Sequence, residues 1–515
     1  MLTDQRISLL RFQRYPVRIE AARNGPCIFV DHASKYHTTM RNRALSLSLA
    51  LAIVSNGSAQ GLPELGDSSS AILSPQMERR IGEEAYRDIR LREPDFVDDP
   101  EITNYVNELG ARLASSADGV RQSFEFFVIQ NPTINAFAMP GGFIGVHTGL
   151  ILAAQSESEL ASVLAHEISH VTQRHIARMF GRQSELSIVT LAAFLVAMLA
   201  ARSSPDAAGA AMAGATAGSI QAQLNYSRDF EREADRVGFQ VLERAGFDVN
   251  GMGAFFDRLL KAGRLYENNA PAYLRTHPMS TERMADMQNR AQNLPYRQVQ
   301  DSPEFLLVRA KLRAETGTPN EALAAADAQV KERRYSNEAA ARYSLVSALI
   351  RTRDYSRALI EMARLRSIIS HPLVELLDVR LRIARKELPL AKETLESALR
   401  IFPNFRPLQY ARVELLQLRG EHSLAASELA ELVKNNPRDA RLYALQAKSY
   451  SALGNRVAMH QVLAEQYVLL GSIPAAIEQL QLAQKTGQGD FYLQSTLDAR
   501  LRELRLQMVE RAKIR

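Results

Sequence analysis

The segment "LAHEISHVTQRHIARMF", residues 164–180, places three histidines and one glutamate within ten residues. On an α-helix a four-residue step turns about 400°, so His166 and His170 share a face one turn apart. Two imidazoles at that separation can reach one Zn²⁺. Glu167 lies about 100° further round, close enough to a water on the metal to take its proton but not placed as a third ligand. Leu160, Val163, Leu164 and Ile168 give the segment an apolar backing, which is the helical setting that an H-E-x-x-H pattern needs. The chemistry implied is metal-assisted peptide hydrolysis. His175 comes nine residues after His166, about 900° round, and is expected on the opposite side of the helix as a surface or interdomain residue.

Catalytic zinc takes three protein ligands and leaves a place for water. No H-x-x-G-x-x-H continuation follows the motif, so the third ligand must come from elsewhere. "FEREADRVG" (230–238) offers Glu231, Glu233 and Asp235. Glu231 and Asp235 are four apart and share a face, whereas Glu233 is about 200° from either. A ligand carboxylate and a carboxylate that orients a ligand histidine belong on one face. That selects Glu231 as ligand and Asp235 as the orienting group.

These residues need elements to hold them. Ser74-Pro75 and Asp99-Pro100 each pair an N-cap with a proline at the first helical position, opening two amphipathic helices across 74–118. "FEFFVIQ" (124–130) reads as a strand, and 134–151 as strand, Pro-Gly-Gly turn and strand. Asn135, Ala136 and Phe137 open this hairpin, and a strand edge there can bind an extended peptide through its backbone. The motif helix is expected from about Ser158 to Met179, with further helices at about 227–246 and 251–264. Between them, 186–201 is apolar all round and uncharged, but at 16 residues it is short for a membrane span. It is read as a buried helix, with peripheral membrane contact as the other possibility.

From about 303 the pattern becomes repetitive. Ala324, Ala358, Ala391 and Ala425 recur at spacings of 34, 33 and 34 residues, and Pro372, Pro403 and Pro437 mark repeat ends. Helix–turn–helix units of that length are the tetratricopeptide signature, and they stack into a solenoid that holds protein segments.

The net charge of +6 suggests a nucleic-acid partner until its location is considered. Eight Lys/Arg against three acids lie within residues 1–43, so the remainder is close to neutral and has no electrostatic reason to bind nucleic acid. The basic start belongs to a secretory leader. Arg41 and Arg43 precede the apolar run Ala44–Val54, and Gly57 and Ala59 stand at −3 and −1 of a cleavage site before Gln60. Met40 then stands where an initiator should be, and residues 1–39 read as an upstream extension. The leader is 40–59, a linker follows at 60–72, and the location is the periplasm. The only cysteine, Cys27, lies in the extension, so the mature chain would rely on packing without disulfides.

The pairing of "HEISH" with "EREAD" about sixty residues later, with "NAFAMPGG" before and "THPMSTER" (276–283) after, resembles the M48 family of zinc metallopeptidases. The resemblance covers about residues 74–500. It is dense over 134–286 and mainly architectural in the repeats. It implies a mainly α protein: an α+β protease domain at 73–295 with a small sheet and an HExxH helix of gluzincin type, then an α-solenoid of tetratricopeptide repeats at 303–500. It also implies one Zn²⁺ per chain on His166, His170 and Glu231, with Glu167 as the base. Through its "THP" context, His277 falls on a histidine that can take the fourth metal position and hold the enzyme inactive. Residues 182–226 match a segment that covers the active site. The implied activity is a periplasmic zinc endopeptidase that degrades misassembled or unfolded outer-membrane β-barrel proteins. A chaperone-like role at the β-barrel assembly machinery would run through the repeats. Two rivals stand beside this. One is a periplasmic assembly or binding factor with a silent metal site. The other is a membrane-embedded M48 enzyme, which would need several apolar spans of about 20 residues.

Overall fold

The computed structural model describes residues 73–119, 122–180, 228–264, 272–295, 297–487 and 490–514. The extension, leader and linker, Cys27 and the segments 182–226 and 186–201 lie outside these residues.

The chain opens on α1 (Pro75–Arg92) and α2 (Pro100–Ser115), begun as their sequences predict. Ser74 Oγ accepts from the Met77 amide, Asp99 accepts from the Glu101 and Ile102 amides, and a proline follows each cap. Three short strands follow: β1 (Glu125–Ile129), β2 (Ala136–Met139) and β3 (Phe143–His147). Their order is β1-β3-β2, with β1 parallel and β2 antiparallel to β3. Gly141 and Gly142, at φ 76° and 94°, make the turn between β2 and β3 in a region closed to most side chains. The strand expected to run on to Ile151 ends at His147. Thr148–Ala153 is instead a short helix, α3.

The outer edge of β1 is occupied. The Val97 amide donates to Val128 O (3.0 Å) and the Gln130 amide to Asp95 O (2.7 Å). Asn107 of α2 completes the cover, giving to Phe126 O (2.8 Å) and accepting from the Phe126 amide (3.1 Å). The sheet's other edge is β2, which packs on α4 (Glu157–Thr172).

α4 is the central helix, and every residue from Glu157 to Val171 is buried. Its backing is the apolar cluster that includes Leu160, Val163, Leu164 and Ile168. The helix ends where Arg174 turns into the left-handed region at φ 53°. α5 (His175–Phe180) then sets off afresh, so the expected single helix to Met179 is two. α6 (Arg228–Arg244) lies along α4, and Gly238 permits the approach: a Cβ there would sit 3.1 Å from the His166 amide nitrogen. α7 (Asn250–Arg264), α8 (Ala272–Thr276) and α9 (Thr281–Gln292) close the other side.

Six helix pairs follow. They are α10 (Pro303–Glu315) with α11 (Pro319–Lys331), α12 (Glu338–Arg351) with α13 (Tyr355–Ile368), and α14 (Pro372–Ala384) with α15 (Leu388–Ile401). Next come α16 (Arg406–Leu418) with α17 (His422–Asn435), α18 (Ala440–Ala452) with α19 (Arg456–Leu469), and α20 (Ile473–Lys485) with α21 (Phe491–Ile514). Most of these helices pack on their sequence neighbours, and α10 packs chiefly on α12, the first helix of the next pair, as in a solenoid. Ala358, Ala391 and Ala425 are fully buried at the fourth position of α13, α15 and α17. Ala324 is exposed, and the equivalent position of α11 is Ala322. The connection between α11 and α12 is longer than its counterparts, so constant spacing pointed two residues too far. Among the described residues, no helix is long and apolar enough to cross a membrane.

The first repeats pack directly on the sheet-bearing part. The Glu157 amide donates to Asp301 (2.7 Å), and the Glu157 carboxylate accepts from the Ser302 amide (3.1 Å), the Ser302 hydroxyl (2.7 Å) and Tyr105 OH (3.1 Å). Lys311 of α10 bridges Asp99 (2.5 Å) and the buried Glu101 (3.0 Å), which also meets Arg380.

Candidate metal centre

The donors converge from two helices and the turn that follows a third. His166 and His170 project from α4 with their Nε2 atoms 3.0 Å apart. Glu231 of α6 comes within 3.5 Å of His166 Nε2 and 3.6 Å of His170 Nε2. His277, just after α8, places Nδ1 3.0 Å from Glu231 and 3.4 Å from His166 Nε2. One donor atom from each of His166, His170, Glu231 and His277 lies within 4.8 Å of all the others, and all four residues are buried. Three imidazoles and a carboxylate at this spacing suit a divalent ion of borderline softness. Glu167 stands beside them. Neither of its buried carboxylate oxygens has a hydrogen-bond partner, although His277 Nε2 approaches to 3.4 Å.

Two polar chains hold the histidines from behind. The first is Asp235, 3.1 Å from His166 Nδ1. Asp235 is gripped in turn by Arg283, with Nε at 2.6 Å and Nη2 at 2.8 Å. Arg283 Nη1 also reaches Glu231 Oε2 (2.9 Å) and Pro278 O (2.6 Å), tying ligand, orienting group and the His277 loop together. "THPMSTER" contains Arg283, but its spacing from Asp235 carries no signal of this contact.

The second chain overturns the expectation for His175. It is fully buried, and its Nδ1 lies 2.8 Å from His170 Nδ1. Its Nε2 meets Glu233 (3.1 Å), which also accepts from Arg178 (2.8 Å), and its ring stacks on Phe230 at 4.6 Å. The cause is the break at Arg174. Helical angles counted through it have no meaning, and α5 folds His175 back under the site. Glu233, set aside as a ligand by its angle, points to this outer chain.

The electrostatics follow the contacts. Burial pulls the His166 pKa down, but hydrogen bonds to Asp235 and Glu231 outweigh it and raise it to about 9. Burial and the neighbouring His166 push His170 well below the usual histidine range. Burial also lowers His175, to about 4. Glu231 is held well below the carboxylate range against its burial, by His277 and His166. Asp235 is lowered likewise by Arg283 and His166. Metal binding requires neutral imidazole, so loading this cluster displaces protons.

Ahead of β2, Asn135 is fully buried with both side-chain amide atoms unpartnered. The His147 amide donates to Asn135 O (3.0 Å). By the antiparallel alternation, Phe137 and Met139 then bond to β3, while Ala136 and Ala138 turn their backbone groups to the outer edge.

Helix-borne histidines with a carboxylate from a separate helix, and a glutamate left unpaired beside them, are the arrangement of a metallopeptidase. Comparison with known proteins takes this a step further. Residues 100–291 match the model of peptidase family M48. The chain is 34% identical over 469 residues to the β-barrel assembly-enhancing protease of Escherichia coli K12, covering 88% of this chain and 93% of that protein. The protein of the same name from Yersinia pestis is 38% identical over 262 residues, 51% of this chain and 54% of that one. The mitochondrial metalloendopeptidase OMA1 of Schizosaccharomyces pombe is 30% identical over 214 residues, 41% of this chain and 60% of that one. The chain belongs to peptidase family M48.

Proposed function

We propose that the chain is a periplasmic zinc endopeptidase acting on unfolded or misassembled outer-membrane β-barrel proteins, and that it also assists their assembly. The observation that carries the reading is the buried cluster of His166, His170, Glu231 and His277 beside an unpaired Glu167. Zinc in that donor set would lower the pKa of a water and polarise a carbonyl. Glu167 then takes the proton of the attacking water and returns it to the leaving amine. Asp235, backed by Arg283, holds His166 by Nδ1 and leaves Nε2 turned to the donor cluster, where it would bind the metal.

His277 sits within the donor cluster, where its imidazole, as a fourth ligand, would fill the place the attacking water needs. The resting enzyme is therefore held off until His277 withdraws. Substrate enters along the β2 edge, since Asn107 and Asp95–Val97 occupy the other. An added strand selects extended, unfolded chain. The unpaired amide of Asn135 is placed to fix such a strand's backbone. The name of the Escherichia coli relative supports the choice of substrate, and the solenoid offers a surface for the assembly machinery.

The test measures metal content and digestion of an unfolded barrel protein. Glu167→Gln is expected to keep zinc and lose about 10²- to 10⁴-fold in kcat. His277→Ala is expected to raise activity. A wild type and His277→Ala variant that bind zinc but never cleave would favour a non-proteolytic assembly factor. Purified protein without zinc would remove the site altogether.

A further inference from the structure

Resting on the peptidase reading, we infer that Tyr273 is a further catalytic residue, whose hydroxyl donates a hydrogen bond to the scissile carbonyl oxygen as water adds to the carbonyl carbon.

Tyr273 is fixed on every side. Its amide donates to Ile134 O (3.2 Å), just ahead of Asn135 and the β2 edge. The His277 amide donates to its carbonyl (2.8 Å), so the two residues form one helical turn. Its ring stacks on His277 (4.6 Å between centroids, 27° between planes) and on Phe256 (6.1 Å, 25°). It also meets the His166 ring at a steep angle (6.3 Å, 63°). The side chain is wholly buried, yet its hydroxyl has no hydrogen-bond partner.

An unpaired buried hydroxyl is a penalty that phenylalanine would avoid at nearly the same shape. The fold gains nothing from the oxygen in this state, so its use lies in another. Glu167 is the complementary case, an acceptor with both oxygens unpaired. Both border the donor cluster, Tyr273 through His166 and His277, and Glu167 through the approach of His277 Nε2. A tyrosine hydroxyl carries its proton at neutral pH and can donate it in a hydrogen bond.

Peptide hydrolysis needs one acceptor and one donor there. The water oxygen bonds to the carbonyl carbon, and its proton passes to Glu167. The carbonyl π pair moves onto oxygen, where the Tyr273 hydroxyl meets the growing charge without giving up its proton. The carbonyl re-forms as the C–N bond breaks, and Glu167 hands its proton to the amine.

Tyr273→Phe tests this, made in both the wild type and His277→Ala and assayed on an unfolded barrel protein and a quenched peptide. The expected result is a kcat loss of about 10²-fold, as for removal of one oxyanion donor. KM stays within about twofold, zinc stoichiometry is unchanged, and Tm is equal or higher because an unpaired group has gone. Unchanged kcat in an active background would overturn the inference and leave the peptidase reading intact. A kcat loss that tracks lost zinc or a lower Tm would make Tyr273 structural and overturn it too. If neither background cleaves, the peptidase reading fails and this inference fails with it.

Discussion

The metal centre and the repeat solenoid bury opposite things. Around α4 the interior holds charged and polar side chains, most of them met by a particular partner from a segment remote in sequence, with Glu167, Asn135 and the Tyr273 hydroxyl left over. In the solenoid it holds small residues at one recurring place, with Ala358, Ala391 and Ala425 all fully buried. The centre joins segments about a hundred residues apart, as when Arg174 of the α4–α5 turn bonds Glu78 of α1 at 2.9 Å, 96 positions back, and His277 meets His166, 111 positions back. The repeats join neighbours. Damage to the first should therefore spread through a shared network, and damage to the second should stay where it is made.

The largest effect is expected at the joint between the two polar chains and the donors. Arg283→Met strands Asp235 and part of Glu231 as buried charges, a loss of about 3–5 kcal/mol in stability, read by denaturant unfolding and accompanied by weaker metal binding. A loss below about 1 kcal/mol would mean the pair behaves like a surface one and the network picture is wrong. Next comes His175→Ala. Removing the group behind His170 should weaken metal binding about 10- to 100-fold by chelator competition with little change in overall unfolding. Unaltered affinity would make His175 mere packing. The smallest effect is expected from Ala425→Leu, which overfills one α16–α17 contact at about 1 kcal/mol. Cleavage of a short peptide should be unchanged, while cleavage of an unfolded barrel protein reports whether the solenoid presents substrate. Peptide cleavage falling with it would show that the regions are coupled more tightly than their packing suggests.

The sequence made His166, His170 and Glu231 legible as candidate donors because helical spacing and side-chain chemistry agree at each of them, whereas His277 was singled out only by the resemblance of its "THP" context. His166 and His170 follow from one turn of helix. Glu231 and Asp235 follow from a shared face, and the structure places both toward α4. Legibility stopped where the backbone departs from a regular period. At Arg174 a non-glycine residue takes φ 53°, which no pattern of apolar residues announces, and His175 was lost with it. Between α11 and α12 a longer turn moved the buried alanine from Ala324 to Ala322. Asn107 and Arg283 were invisible for a different reason. Each acts by bonding a residue remote in sequence, Phe126 and Asp235, and a lone polar residue on an amphipathic helix carries no mark of its partner.

The grip on Glu157 gives the molecule a mechanical property. Asp301 and Ser302, at the root of the solenoid, hold the first residue of the helix that bears His166 and Glu167. A shift of the first repeat is therefore passed to the N-terminal end of that helix, as a bracket passes load to the beam it is fixed to.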